Sequence, residues 1–326
     1  MKYRLINFPR FMPIEGYDAI IEKVCRLLAQ QEGIVSIYRI GSISDPGISD
    51  IDLVAVFKDG VVCDIDPLSC LNREERYPFA HSVFGIAEGF FKNFHSYSLF
   101  KNFSWDWGTE FELNVKNNDR ELKKQVALEY LLSNYIARTR DKIYGILSVR
   151  NLLLSCNAIR YDLELMNVRD GGLHDSIREL KKMRHNWFDY KYNKKEIRTW
   201  FDSFYSSLTG FLANYFKENK LWVPEIRTYR FSRNTYIIPR NSLKYTVRGI
   251  RLPAVVTGLH KKLRKINDLV NRFNVYVPMM DRSMDKVDIL DQRDVFFRRM
   301  LKTNKKDFPY FTPLVNNLQI KLLIQK

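Results

Sequence analysis

Hydrophobic spacing along the chain changes character near residue 118. Before that point the apolar positions form one amphipathic stripe followed by short alternating or filled runs. The stripe is helical: Ile20, Ile21, Val24, Cys25, Leu27 and Leu28 share a face between Tyr17 and Gln31, with Asp18 near the start and Gly33 after the end. Ile34 to Ile40 is then apolar and β-prone, and the residues up to Phe57 contain a second such run, with Gly and Pro marking the turn between them. Because side chains alternate along a strand, Asp50 and Asp52 are expected on one face and Ile51, Leu53 and Ala55 on the other. Lys58-Asp59-Gly60 reads as a turn, and the segment from Val61 stops at Asp64-Ile65-Asp66-Pro67, where Pro67 argues against a long central strand. Asp64 and Asp66 are therefore read as loop carboxylates. His81 to Phe94 is apolar and aromatic and fits either a strand or a buried helix. Thr109 to Val115 alternates again, with Phe111, Leu113 and Val115 opposite Glu110, Glu112 and Asn114.

Beyond Asn118 the spacing turns helical. Leu122, Val126, Leu128, Leu131, Leu132 and Tyr135 mark a helix over 121–138, and a second pattern runs from Ile143 to Leu165. Gly171-Gly172 breaks it, and helices are expected again over 175–190 and 194–218. From Glu225 to Arg251 seven Arg or Lys residues interleave with Tyr229, Phe231, Tyr236 and Tyr245, a composition suited to phosphates and stacked bases or, equally, to aromatics packed inward beneath solvated Arg. Further helices are expected at 260–265 and 285–301.

Charge sharpens this division. The net +16 is made of −4 over residues 1–120 and +20 over residues 121–326, so the acidic and basic parts of the chain are separate. Apolar residues at 45% and aromatics at 14% mark a folded protein. Cys25, Cys63, Cys70 and Cys156 have neither C-x-x-C spacing nor His partners at ligand spacing, which points to buried thiols in a reducing compartment. No secretory signal and no long uncharged apolar run is present, so a cytoplasmic protein without a membrane span is expected. P-loop, Rossmann and zinc-protease motifs are missing.

The chemistry concentrates between Gly41 and Phe57. Two carboxylates side by side on a strand repel unless a cation lies between them, and Mg²⁺ is the usual solution. Acidic pairs at this spacing also occur at 64/66, 110/112, 119/121 and 162/164, so spacing alone does not single out 50/52. Context does. Gly41-Ser42 ends one strand, where Gly permits close approach of phosphate oxygens and Ser42 adds a hydroxyl, and Ser49-Asp50-Ile51-Asp52-Leu53 opens the next. In these residues the chain resembles the nucleotidyltransferases of the DNA polymerase beta-type superfamily, whose signature is Gly-Ser, a short spacer and Asp-x-Asp in an apolar strand.

That resemblance covers roughly the first 120 residues. It implies a nucleotidyltransferase-like mixed sheet with helices over 1–120; periodicity and charge add a mainly helical basic part, a helical domain over 121–222 and a basic region over 223–326, so an α+β fold is expected. The resemblance implies transfer of a nucleoside monophosphate from a nucleoside triphosphate to an unidentified acceptor, with nucleic acid or another polyanion among the candidates. Asp50 and Asp52 would hold Mg²⁺, or Mn²⁺ in its place. Glu112 would complete the site from a neighbouring strand, with Glu110 in reserve, and Gly41 and Ser42 would seat the triphosphate. Two other classes stay open: a catalytically inactive nucleotide or nucleic-acid binder of the same fold, and an antitoxin-like regulatory partner. Arg178 and His185, about two helical turns apart on one helix, loosely resemble the RNA-cleaving helical domains of some toxin pairs, whose partners are minimal nucleotidyltransferases, but Lys181, Lys182 and Arg184 crowd the same turn and favour an ordinary basic helix face.

Overall fold

A computed structural model describes residues 3–61, 65–92, 102–113, 120–218, 235–238, 244–249, 271–278 and 320–322. Residues 9–123 group into one compact unit; residues 3–8 group with the described residues from 124 onward into another. Strand β1 (Arg4–Ile6) thus belongs to the second unit.

In the first unit, helix α1 (Ile14–Ala29) buries Tyr17, Ile20, Ile21, Val24 and Leu28 along the stripe read from the sequence. Each such aliphatic side chain contributes about 1.5–3 kcal/mol on burial. The helix covers one face of a sheet made of β2 (Ile34–Ile40), β3 (Asp52–Phe57), β4 (Phe84–Ala87) and β5 (Phe103–Gly108). The strand order is β4-β3-β2-β5. β2 runs antiparallel to both β3 and β5, and β3 runs parallel to β4, so the sheet is mixed. Ile37, Ile51, Leu53, Ala55 and Phe57 join α1 in one core cluster, as alternation requires. The opposite face is closed by helix α2 (Glu88–Phe91), whose Phe91 ring sits 4.7 Å from Tyr38 and 6.0 Å from Phe111. Residues 53–57 are all buried, which is why β3 reads as a filled apolar run. The ambiguous apolar stretch from His81 contains both candidate elements in succession, β4 and then α2.

After β1, the second unit takes up the chain at Lys124, within α3 (Arg120–Tyr144), followed by β6 (Ile146–Ser148), α4 (Val149–Ser155), α5 (Ile159–Leu165), α6 (Gly172–His185) and α7 (Lys194–Glu218). The periodicity over 143–165 suggested one continuous helical stretch, but the chain interrupts it. Gly145 at φ +66° ends α3, and Ile146–Ser148 pairs in parallel with β1. Tyr3 anchors that strand: its hydroxyl donates to Asp202 at 2.6 Å, its ring meets Phe201 edge-on at 5.2 Å, and Arg198 donates to its carbonyl at 2.7 Å. Leu180, Phe201, Phe204, Leu208 and Leu212 are fully buried.

Past residue 218 the described residues are strands: β7 (Thr235–Ile238), β8 (Lys244–Gly249), β9 (Asn271–Pro278) and β10 (Ile320–Leu322). They form a second mixed sheet in the order β10-β7-β9-β8. Among the described residues the basic part of the chain therefore adds a sheet to its helices. Its strands are rich in Tyr, Val, Ile, Phe and Thr, residues that suit a pleated surface. The segments expected as helices at 260–265 and 285–301 lie outside the described residues. Among the described residues no helix is long and apolar enough to cross a membrane.

Candidate metal centre

β2 delivers the chain to Gly41, and the loop that follows is held by hydrogen bonds rather than by regular structure. Asp45 organises its own turn: its carbonyl accepts from the backbone N–H of Ile48 (3.0 Å) and Ser49 (2.8 Å), and its N–H donates to Ser49 Oγ at 3.1 Å. Tyr17, fully buried on α1, reaches up into this turn. Its hydroxyl accepts from Gly47 N–H and donates to the Ser49 carbonyl, both at 2.9 Å. Tyr77 adds a 2.6 Å hydrogen bond to the Gly47 carbonyl. Gly47 itself sits at φ +84°, where a side chain would strain the backbone. Ile48 and Ile51 are buried on either side of Ser49, so the segment enters β3 with Asp50 in a set position.

Asp52 is the first residue of β3 and pairs with Ile40 across the ladder; Asp50 stands two residues before it. Their companion is His81. The cause is the parallel pairing of β3 with β4, since parallel neighbours start at the same edge of a sheet and His81 lies just ahead of β4. The Ile51 N–H also bonds to the Pro78 carbonyl at 3.2 Å, which ties the segment before His81 to the Asp-bearing loop.

Nε2 of His81 lies 2.8 Å from Asp52 Oδ1, and Nδ1 lies 2.8 Å from the Ser82 carbonyl. A carbonyl can only accept, so Nδ1 carries a proton and Nε2 is the nitrogen turned toward the carboxylates. Burial favours the neutral ring, but the hydrogen bond and charge of Asp52, the Ser82 carbonyl and the charge of Asp50 outweigh it, and the His81 pKa rises to about 9. In the metal-free protein a proton on His81 is thus the cation that relieves the carboxylate pair.

One ligand atom from each of Asp50, Asp52 and His81 lies within 4.8 Å of the other two, and all three residues are half-buried. An octahedral ion with bonds of about 2.1 Å spaces its ligand atoms about 3.0 Å apart when adjacent and about 4.2 Å when opposite. The three residues could therefore hold a metal ion. Donation from Nδ1 to a backbone carbonyl is the arrangement that orients a ligating imidazole.

Of the other residues singled out in the sequence, Gly41 and Ser42 are exposed at the end of β2, adjoining the Ile40–Asp52 pair. Gly41 adopts φ +75° with nothing within 4 Å of where a Cβ would stand, so space lies open above it. Its N–H donates to the Asn102 carbonyl at 3.0 Å. Glu112 and Glu110 are both exposed and neither belongs to the cluster. The reason is topological. β5 pairs with β2, on the far side from β3, and it stops at Gly108. A Cβ on Gly108, at φ +85°, would lie 2.2 Å from the Val35 carbonyl oxygen, so the backbone turns tightly there and residues 109–113 leave the sheet. Asp66 accepts from Leu68 N–H at 3.0 Å and pairs with Arg76 at 3.4 Å, as a loop carboxylate does, whereas Asp64 lies outside the described residues.

His81 carried no signal of its own in the sequence beyond its place ahead of an apolar run. A search for a nitrogen ligand at the start of each strand able to neighbour β3 would have found it. No family model matches the chain, and comparisons with the curated proteins and the solved structures find no match.

Proposed function

We propose that the chain is a metal-dependent nucleotidyltransferase that moves a nucleoside monophosphate from a nucleoside triphosphate to an acceptor hydroxyl, phosphate or amine. The observation that carries this reading is the convergence of Asp50, Asp52 and His81 beside the exposed Gly41-Ser42 turn. Asp50 and Asp52 would hold the ion, with His81 Nε2 as a third ligand once its proton is displaced. Two carboxylates and an imidazole suit Mn²⁺ better than Mg²⁺, which favours oxygen throughout. When bound, the ion would neutralise charge on the triphosphate and align its phosphorus for in-line attack. Gly41 leaves the backbone open to phosphate oxygens, and the Ser42 hydroxyl can donate to one of them. The Tyr17 and Tyr77 bonds keep Asp50 from drifting as charge builds beside it.

A second reading has one observation in its favour. With Glu110 and Glu112 outside the cluster, no third carboxylate among the described residues stands beside the pair to take the acceptor's proton. A protein so built would bind metal and nucleotide without turnover.

Two measurements separate these readings. Calorimetry with ATP should show binding in the presence of Mn²⁺ that EDTA abolishes, and Asp50→Asn with Asp52→Asn should behave like the EDTA sample; equal affinity in all three removes the metal site. Incubation with α-labelled nucleoside triphosphates and a cell extract as acceptor source should then show label transfer by wild type alone. Tight metal-dependent binding with no transfer from any nucleotide selects the binding protein.

A further inference from the structure

The second unit contains a cavity of about 450 Å³ between α5, the loop that follows it and α6. Its walls are cationic: Arg160, Arg169, Arg178, Lys181 and His174 line it against a single carboxylate, Glu164. Its floor is apolar, because Leu163 and Ile177, each almost fully buried, present their flanks there.

The cations are only partly neutralised from within the chain. Arg178 pairs with Asp175 at 3.1 Å, and His174 lies 4.0 Å from the same carboxylate. Arg160 stacks over the Tyr161 ring at 4.4 Å and donates to its hydroxyl, while its Nε is buried without a hydrogen-bond partner. Arg169 and Lys181 make no ion pair among the described residues. Four permanent positive charges held around one concavity repel each other, and an anion placed among them replaces that repulsion with charge-assisted hydrogen bonds. A simple ion would leave the apolar floor uncovered. The volume is within the range that small organic ligands occupy, about 300–1,000 Å³.

We infer that this cavity binds a phosphorylated organic molecule of nucleotide size, its phosphate among Arg169, Arg178 and Lys181 and its apolar body on Leu163 and Ile177. The site contains no carboxylate pair, so it works without metal, and the inference does not rest on the transferase reading.

Calorimetry on the full chain at low salt in EDTA, with AMP, inorganic phosphate and adenosine as probes, tests this. AMP should bind more tightly than phosphate, adenosine should not bind detectably, and AMP affinity should fall steeply with salt. Arg169→Glu with Lys181→Glu, two exposed positions, should weaken AMP by about tenfold or more. Lys194→Glu with Lys195→Glu makes the same change of net charge at exposed positions that do not line the cavity and should leave binding intact. Thermal denaturation of both double variants checks that they remain folded. Asp50→Asn with Asp52→Asn should also bind AMP normally, which separates this site from the metal centre. Absence of AMP binding, equal affinity for phosphate and AMP, an unaffected Arg169/Lys181 variant, or equal loss in the Lys194/Lys195 control would each overturn the inference.

Discussion

Removing one oxygen atom tests whether the loop carrying Asp50 is held as described. Tyr17→Phe keeps the buried ring and its packing but deletes the hydroxyl that accepts from Gly47 N–H and donates to the Ser49 carbonyl. Gly47 and Ser49 are both buried, so water cannot simply take the hydroxyl's place. Leaving a buried donor or acceptor unsatisfied costs about 1–3 kcal/mol each, and some relaxation is expected, so the substitution should destabilise the first unit by about 2–4 kcal/mol. For a domain of about a hundred residues this lowers Tm by roughly 8–16 °C. Tyr77→Phe is the internal control. It too loses two bonds, the one its hydroxyl donates to the Gly47 carbonyl at 2.6 Å and the one it accepts from the Arg10 N–H at 2.8 Å, but the ring is partly exposed and solvent can substitute at both, so about 0.5–1.5 kcal/mol is expected. Calorimetric melting in EDTA measures both, and Mn²⁺ titration of each variant measures the effect on the site. Metal affinity should fall in Tyr17→Phe, though less than in Asp50→Asn, because the ligands remain while their positions loosen. A Tyr17→Phe protein that melts within about 2 °C of wild type, or no lower than Tyr77→Phe, would refute the pinned-loop account.

Two further perturbations have signs set by charge. The folded His81 pKa of about 9 exceeds the unfolded 6.5, so in the metal-free protein the His81–Asp52 pair stabilises fully below about pH 6.5 and is lost as pH rises through about 9. With the imidazole 34% exposed, solvent screening limits this to about 1–2 kcal/mol. Urea denaturation in EDTA should show a His81→Gln deficit near pH 6 that shrinks near pH 10; a constant deficit would disprove the pairing. Asp162, in α5, is also shifted upward, but as a cost and not as a pairing: burial pushes its carboxyl well above the usual range and one of its oxygens has no partner. Its cost therefore grows as pH rises above the unfolded carboxyl value of about 4, and Asp162→Asn should stabilise the second unit near pH 7 by about 1 kcal/mol or more while doing little near pH 4. Equal effects at the two pH values would show that packing, not ionisation, dominates there.

What could be read along the chain was what neighbouring residues decide among themselves. The α1 stripe, the alternation that sends Ile51, Leu53 and Ala55 into the core, and the span of α7 depend on spacings within one segment, and each appears in the structure as spaced. So does the placement of the Gly41-Ser42 turn beside Asp52, because a short antiparallel connection leaves few registers. Partners distant in sequence were another matter. Periodicity over 143–165 could not reveal that Ile146–Ser148 would pair with a strand from the far N-terminus, nor could alternation over 109–115 reveal that the preceding strand joins β2 instead of β3. The third member of the metal cluster followed from the same choice. Glu112 had the right chemistry on a plausible strand, whereas His81 reached the carboxylates because β4, not β5, became the neighbour of β3. Strand pairing is decided by which edges can be covered and which faces buried once the whole sheet assembles. That is a property of the folded chain and leaves little trace in either strand's own residues.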